Sequence, residues 1–454
     1  MESVILRGNA MCQIKRRFPA PQMPVSQPNS SVYVENPKND DHDADPGKEQ
    51  EEEYDEYYVW RRNAPFLYDS LLIHSLDWPS LVVDMVPDGS YKSRNGATAH
   101  KVLMGTHTSG SDVEYAIIAE VKLPVAGLIE NLSSCENFLG FGSYHKLNRA
   151  LIMAHSVPTL DIKAKLVHPG EVNRIAHCPG RNFTFVTHTN FGDLLVYDYS
   201  RHPSMPRSAT KAAPQMVLTG GHGADGFGAC WMDDSRLVSV ATDGSVCTWD
   251  VNAVSRTIGD TEHYVEDTVC VGPVTKFDVE DAPFNDVQVL PSNRQVFMTV
   301  ADDCVARLYD SRLDNRGSSP QLQLEGETEL NCLNFNPFDD CIVATGEADG
   351  SVCIWDLRNP TEAVVVLSHH TEAVNQVEFC PASAGMLASA SGDNKVCIWE
   401  LSIEDKLRFV HAGHRGAVSD LSWLKTASMK NGFTLATTGA DNAFHCFTPS
   451  FTEM

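Results

Sequence analysis

The sequence predicts an all-β fold, a seven-bladed WD-repeat β-propeller with an N-terminal α-helix packed outside it. The first observation is a unit that returns every ~45 residues, in which a turn aspartate precedes an aromatic residue by six positions. The second is a Ser or Thr four positions before each aspartate. Small sheets of this kind must stack on neighbours to bury their faces, so the repeat indicates a ring of blades. The five clear copies end at Trp249, Tyr309, Trp355, Trp399 and Phe447.

Two further blades precede these five copies. Blade one is predicted to have strands near residues 81–86, 101–106 and 116–121. Blade two is a degenerate copy that ends at Tyr197, with its turn aspartate displaced to Asp193. Segment 148–167 is expected to supply two more strands that help to close the ring. Residues 200–219 and 252–283 are predicted to be long exposed loops.

The chain before the propeller is predicted to have two parts. Residues 1–50 are rich in proline and polar residues and are expected to form a disordered tail. Residues 51–76 carry apolar residues at helical spacing, which predicts a helix that begins at or just after Pro65 or is kinked there. The propeller is then expected to occupy residues 77–450.

Composition narrows the classes of function. The net charge of −25 argues against a nucleic-acid binder, which needs a basic face, and favours a partner rich in Lys and Arg. The 13 cysteines form no C-x-x-C pair, so zinc has no ligand spacing to use, and no cofactor is predicted. Cys247, Cys353 and Cys397 are expected to pack inside their blades. No apolar run is long enough to span a membrane, so an intracellular soluble protein is expected.

The histidines are assigned to the fold rather than to catalysis. His222, His370 and His414 each precede a blade, where a histidine can hydrogen-bond the turn aspartate while the Ser or Thr and the Trp complete a buried network. The sequence contains neither a phosphate-binding loop nor a nucleophile elbow. An enzyme is therefore not predicted.

A ring of acids and amides is predicted at one mouth of the central channel, where the innermost strand of each blade begins. Side chains at equivalent blade positions converge on the axis, and such a ring could grip an extended basic peptide, with arginine held by two hydrogen bonds. The alternative is a set of solvated loop acids. The residues that form this predicted ring are Glu171, Asn173, Asp225, Asn285, Asp286, Glu329, Asn331, Glu372 and Asn375.

Several strings together resemble a known family. They include E-E-E-Y-D-E-Y-Y-V-W-R-R-N-A-P-F-L-Y-D at 51–69, L-D-W-P-S-L at 76–81, G-E-V-N-R at 170–174 and V-Y-D-Y-S-R-H-P-S at 196–204. These resemble the retinoblastoma-associated histone-binding WD-repeat proteins, the family of the small subunit of chromatin assembly factor. The resemblance spans about residues 51–448 and is most specific in the N-terminal strings.

The resemblance implies a nuclear histone chaperone or escort scaffold. Its partners would be core histones, through a basic tail and a helix, and subunits of chromatin assembly, acetylation, deacetylase, remodelling and Polycomb-type methyltransferase complexes. Direct binding to nucleic acid or to a membrane is not implied.

In that family the channel mouth takes basic N-terminal peptides, including a histone tail. Glu171 with Asn173, and Glu329 with Asn331, match the family's pairs. Asp225 and Phe227 stand where the family has Glu and Tyr, and Asn285 replaces an acid. The ring is therefore expected to be less acidic than in the family.

The family also binds a histone helix on the side of the propeller, between its N-terminal helix and an acidic insertion in blade six. The resemblance makes Phe66, Leu67 and Asp69 candidate contacts on the N-terminal helix. Residues 401–410 lack the insertion and keep only Glu404 and Asp405, and the family's C-terminal helix is not recognised after Phe447. We therefore expect a reduced or altered side site.

A second interpretation is a substrate receptor of a cullin-type ubiquitin ligase. Residues 342–358 resemble the W-D-x-R box of such receptors, centred on Trp355, Asp356 and Arg358. The box overlaps the ordinary blade consensus, so it discriminates weakly.

Overall fold

Seven small antiparallel sheets form the blades of the molecule, and one helix precedes them. This confirms the predicted propeller with a helix near the N-terminus. The structure is a computed structural model, which describes residues 56–87, 91–92, 98–123, 158–206, 211–253, 257–258, 263–280, 282–313, 319–425 and 433–451. The predicted tail, residues 1–50, lies outside the described residues.

The helix is the first element of the chain and leads directly into a strand. The helix is α1 (Glu56–Leu67), and the strand is β1 (Tyr68–Ser75). Blades one to three contain β2 (Val83–Met85), β3 (Tyr91–Lys92), β4 (Thr98–Gly105), β5 (Glu114–Leu123), β6 (Thr159–His168), β7 (Val172–His177), β8 (Thr184–Thr189), β9 (Leu194–Asp198), β10 (Met216–Leu218), β11 (Gly228–Trp231), β12 (Arg236–Val240), β13 (Ser245–Asp250), β14 (Thr257–Ile258), β15 (Val269–Val271) and β16 (Thr275–Asp278).

Blades four to seven follow a regular plan. Blades four, five and six each have four consecutive strands, and blade seven has three of its own. These strands are β17 (Phe284–Val289), β18 (Val296–Ala301), β19 (Val305–Asp310), β20 (Leu322–Glu325), β21 (Leu330–Phe335), β22 (Ile342–Glu347), β23 (Ser351–Asp356), β24 (Val365–Ser368), β25 (Val374–Phe379), β26 (Met386–Ser391), β27 (Val396–Glu400), β28 (Leu407–His411), β29 (Val418–Trp423), β30 (Leu435–Gly439) and β31 (Ala443–Pro449).

The repeated aspartate shapes the turn between the second and third strands of a blade. In blade five the Asp349 carboxylate accepts a hydrogen bond from the Ser351 N–H at 2.8 Å. The residue after each of the five aspartates has a positive φ, between 58° and 94°. Gly and Asn tolerate this left-handed backbone best, and they fill four of the five positions, which are Gly244, Cys304, Gly350, Asn394 and Asn442.

The predicted histidine networks are present. His370 contacts the Asp393 carboxylate at 3.0 Å and the Ser389 hydroxyl at 2.8 Å, and Trp399 Nε1 donates to the same hydroxyl at 2.8 Å. His414 contacts its turn aspartate and Thr437 in the same way. In blade three the Ser245 hydroxyl lies between His222 and Asp243 instead. The Ser389 side chain is completely buried, which supports its assignment to the fold.

Strand β1 closes the ring. It pairs antiparallel with β31 and becomes the outermost strand of blade seven, which buries Leu72. The expectation of a helix that begins at Pro65 and continues to residue 76 is therefore wrong, because Pro65 lies near the helix end and the next residues pair as a strand. Segment 148–167 does not close the ring. Residues 158–167 contribute to a single strand of blade one, β6, and 148–157 lie outside the described residues.

Two segments predicted as loops contain short strands. Residues 200–219 include β10, and residues 252–283 include β14, β15 and β16. Strands β14 and β15 leave blade three and add to the outer edge of blade two, where β15 runs parallel to β10 and makes a six-stranded sheet. Strands of two to four residues carry too few alternations to be recognised from the sequence.

Apolar side chains fill the spaces within and between the blades. Cys247, Cys353 and Cys397 are buried there, as predicted. Over the part of the chain that the structure describes, no helix has the length and apolar character needed to cross a membrane.

Candidate functional site

A β-bulge near the start of the inner strand marks the channel in five blades. The register of β7, β17, β21, β25 and β29 shifts by one residue at this point. A bulge leaves one residue outside the pairing pattern and can redirect its side chain. The bulged residues all line the channel, and they are Asn173, Asn285, Asn331, Asn375 and Ser419. We call the four asparagines the amide collar.

The amide collar joins neighbouring blades. The side-chain N–H groups of Asn285, Asn331 and Asn375 donate to the carbonyls of Leu330, Val374 and Val418, at 2.9, 3.1 and 2.8 Å. Each acceptor belongs to the inner strand of the next blade. These predicted binding residues therefore have a structural role that the sequence did not indicate.

The same bonds orient the amide oxygens. The Oδ1 atoms of Asn331 and Asn375 are buried and accept no hydrogen bond from the described protein. Since buried polar atoms need partners, these oxygens can accept a donor that enters the channel.

A buried ion pair lies beside the amide collar. Asp286 Oδ1 is 3.7 Å from Arg174 Nη2, which links blade four to blade two across the channel. Burial raises the pKa of Asp286, while Arg174 and the N–H groups of Val287 and Leu333 oppose that shift. Sequence analysis included Asp286 but missed Arg174, although the G-E-V-N-R string ends in it.

A second buried acid completes this layer. Asp420 accepts hydrogen bonds from the Val83 N–H at 2.8 Å and from Gln376 Nε2 at 3.0 Å. It therefore links blade seven to blades one and six. Its position, two residues into the last inner strand, is equivalent to that of Asp286, which is the signal that could have identified it.

These side chains nearly fill the channel. The space among them leaves about 10 Å³ for the centres of water molecules, roughly enough for one water. A peptide backbone cannot thread through it. A bound peptide would therefore lie across the mouth and could insert at most part of a side chain.

Four acids stand at the mouth, and we call them the acid rim. Each lies just before, or close to, the start of an inner strand in blades two, three, five and six. Glu171 is about a quarter exposed, and its Oε2 is 3.6 Å from His107 Nδ1. Phe227, by contrast, is buried and lines the channel. The acid rim consists of Glu171, Asp225, Glu329 and Glu372.

The predicted side site centres on α1. Trp60 is the buried anchor of this helix, and its Nε1 donates to the Tyr68 hydroxyl at 2.7 Å. That hydroxyl contacts His411 Nδ1 at 2.6 Å, and His411 Nε2 contacts His445 Nδ1 at 2.8 Å. Burial lowers the pKa of both histidines well below the usual value, so the rings are neutral and the chain of hydrogen bonds runs unbroken.

Of the predicted side-site contacts, Phe66 is the most prominent. It is 69% exposed near the end of α1, while Leu67 is half-buried and Asp69 is exposed. Glu404 and Asp405 are exposed in the turn between β27 and β28. Strand β28 carries His411, which contacts α1, so that turn belongs to the hairpin on which the helix rests.

The W-D-x-R box forms an exposed ion pair. Arg358 donates from Nε and Nη2 to the two Asp356 oxygens at 2.9 and 2.7 Å, and its side chain is 64% exposed. Trp355 is buried and donates to Thr345. Blade four presents the same pair, formed by Asp310 and Arg312.

Comparison with known families adds an independent result. The WD domain, G-beta repeat, matches residues 318–356 and 361–400. Together with the seven-bladed ring, this match makes the chain a WD-repeat propeller protein.

The second match concerns the N-terminal part. A family described as histone-binding protein RBBP4, or the equivalent subunit of the CAF1 complex, matches residues 55–125, which span α1, β1 and strands β2 to β5 of blade one. The chain is thus a protein of the histone-binding WD-repeat family, as its N-terminal strings indicated.

The buried ion pair and the acid rim should respond differently to mutation. Asp286→Ala should lower the free energy of unfolding by about 3 kcal/mol, because it leaves the Arg174 charge buried without its partner. Glu329→Ala, at the partly exposed mouth, should change it by less than about 0.5 kcal/mol. Urea unfolding of both variants measures the difference. Equal losses would show that Asp286 is not a structural residue of the channel.

Proposed function

We propose that the protein is a non-catalytic histone-binding scaffold that works within chromatin complexes in the nucleus and grips basic histone tails at the acid rim. The match of residues 55–125 to a histone-binding family carries the proposal. We further propose that its other partners are subunits of chromatin assembly, deacetylase and methyltransferase complexes.

The chemistry of the mouth supports tail binding. Four carboxylates surround an amide collar in which at least two oxygens accept nothing from the described protein. Arginine and lysine supply the donors and the positive charge that such a surface favours. The net charge of −25 would also speed the approach of a basic peptide.

The tail proposal predicts the effect of removing one rim carboxylate. Glu171→Ala should weaken binding of a basic histone-tail peptide about tenfold or more, because a hydrogen bond to a charged group contributes about 1.5–3 kcal/mol. Isothermal titration calorimetry on the purified full chain measures this. The matched control is Asp339→Ala, which removes an exposed acid at the other end of a blade and should leave affinity unchanged. Equal effects of the two variants would reduce the acid rim to a general charge effect.

We propose that the side site is retained in a reduced form. Exposed Phe66 supports retention, because a large apolar side chain on an anchored helix can contact an amphipathic partner helix. The short turn at Glu404 and Asp405 supports the reduction, because only β27, β28 and the residues that connect them form that wall.

The side-site proposal predicts weak but specific helix binding. The histone helix peptide should bind the chain more weakly than it binds a relative with the full blade-six insertion. Phe66→Ala should weaken that binding further, by about tenfold, as truncation of an interface anchor does. Calorimetry again provides the measurement, with exposed Phe338→Ala as the control. Helix binding as tight as that of the relative would contradict the proposal.

A ubiquitin-ligase adaptor is the second candidate partner. The favouring observation is that Arg358 and Arg312 form the same exposed aspartate pair on adjacent blades. If these pairs dock the adaptor of a cullin-type ligase, Arg358→Ala should abolish co-purification with it and leave histone binding intact. Retained co-purification in an Arg312→Ala, Arg358→Ala double variant would reject this candidate.

A further inference from the structure

An exposed aromatic pair lies just outside the acid rim on blade two. The rings of Phe191 and His263 stack with their centroids 5.7 Å apart and their planes 27° apart. Phe191 is 37% exposed and His263 is also exposed. Neither residue was identified from the sequence, because they lie 72 positions apart and outside the repeated motif.

Phe191 is held against the residue that precedes a rim acid. It lies in the turn between β8 and β9, at the same end of the blade as Glu171. A Cβ atom at Gly170 would lie 2.9 Å from Phe191 Cε1 and 2.4 Å from Asn190 Oδ1. Only glycine therefore allows the ring to approach this closely. The packing places the aromatic pair directly beside Glu171.

The segment added to blade two brings His263 into position. The His263 carbonyl accepts a hydrogen bond from the Ala212 N–H at 3.0 Å. The next residue, Tyr264, is buried, and its hydroxyl donates to Asp193 at 2.8 Å. His263 is thus anchored to blade two by its own backbone and by its neighbour. This aromatic surface is built by a departure from the regular blade plan.

The chemistry beside the rim favours a cationic side chain. A Lys or Arg over an aromatic face is attracted by the ring, and a nearby carboxylate adds to that attraction. Phe183 of the same blade already makes such a contact, since Lys101 Nζ lies 4.7 Å from the centre of its ring. A nucleic-acid base could also stack on the aromatic pair, but the adjacent carboxylate and the net charge of −25 oppose a phosphate backbone.

We propose that Phe191 and His263 form an additional subsite for the basic tail, continuous with the acid rim. A Lys or Arg side chain lies across the aromatic pair with its charged end toward Glu171, and the peptide leaves the mouth over blade two. The proposal rests on tail binding at the acid rim and adds residues that set which tail position is recognised.

The test compares two substitutions of the same ring. Phe191→Leu keeps an apolar side chain but removes the aromatic face, so a basic histone-tail peptide should bind about 2- to 5-fold more weakly. Phe191→Trp should bind at least as tightly as the wild type, because Trp is the best cation partner. The control is Phe183→Leu, at the opposite end of β8, which should leave affinity unchanged. Calorimetric titration of the full chain measures all four proteins.

Peptides with single neutralised positions locate the contact. Each Lys is replaced in turn by norleucine and each Arg by citrulline. One replacement should weaken binding to the wild type yet cause little further loss in Phe191→Leu, since two changes at one contact are not additive. Additive losses at every position would overturn the proposal, and so would tighter binding of a single-stranded oligonucleotide than of the peptide.

The outcomes separate this subsite from the proposed function. If the wild type binds the tail and Glu171→Ala weakens it, but Phe191→Leu and Phe183→Leu behave like the wild type, the acid rim stands and the subsite is rejected. If the wild type binds no basic tail, both proposals fall.

Discussion

The pairing of β1 with β31 is the constraint on which the rest of the structure depends. A ring of blades can bury the faces of every sheet only when its first and last segments join, and in this chain residues 68–75 complete the blade that the C-terminal strands begin. Because α1 ends at Leu67, immediately before β1, ring closure also determines where the helix lies. The Trp60, Tyr68 and His411 contacts then hold it over blades six and seven.

The channel combines a structural and a binding role in the same side chains. The amide collar uses its N–H groups to join successive blades, and this leaves the oxygens of Asn331 and Asn375 oriented for a ligand. Asp286 and Arg174 neutralise each other nearby, so the negative charge that a partner meets comes from the acid rim. A rigid ring of this kind holds its carboxylates in place, which lowers the cost of ordering them on binding.

Departures from the regular blade plan distinguish this surface. The six-stranded blade two brings His263 beside Phe191, and both lie next to Glu171. The short turn after β27 leaves only Glu404 and Asp405 beside the hairpin that supports α1. One change extends the mouth and the other reduces the side site, so we expect the balance between the two sites to favour tails.

The spacing of Asp, Ser or Thr, and Trp determined the seven blades, because each unit carries its own turn and its own buried network. The acid rim was equally predictable, since Glu171 and Glu329 occupy matching places in the repeat. The sequence could not assign Tyr68–Ser75 to a strand, because its partner lies over 360 residues away. Only tertiary structure decided the Arg174–Asp286 pair, the bonds of the amide collar and the Phe191–His263 stack. Each joins side chains from different blades or added segments, and such contacts depend on the closed ring.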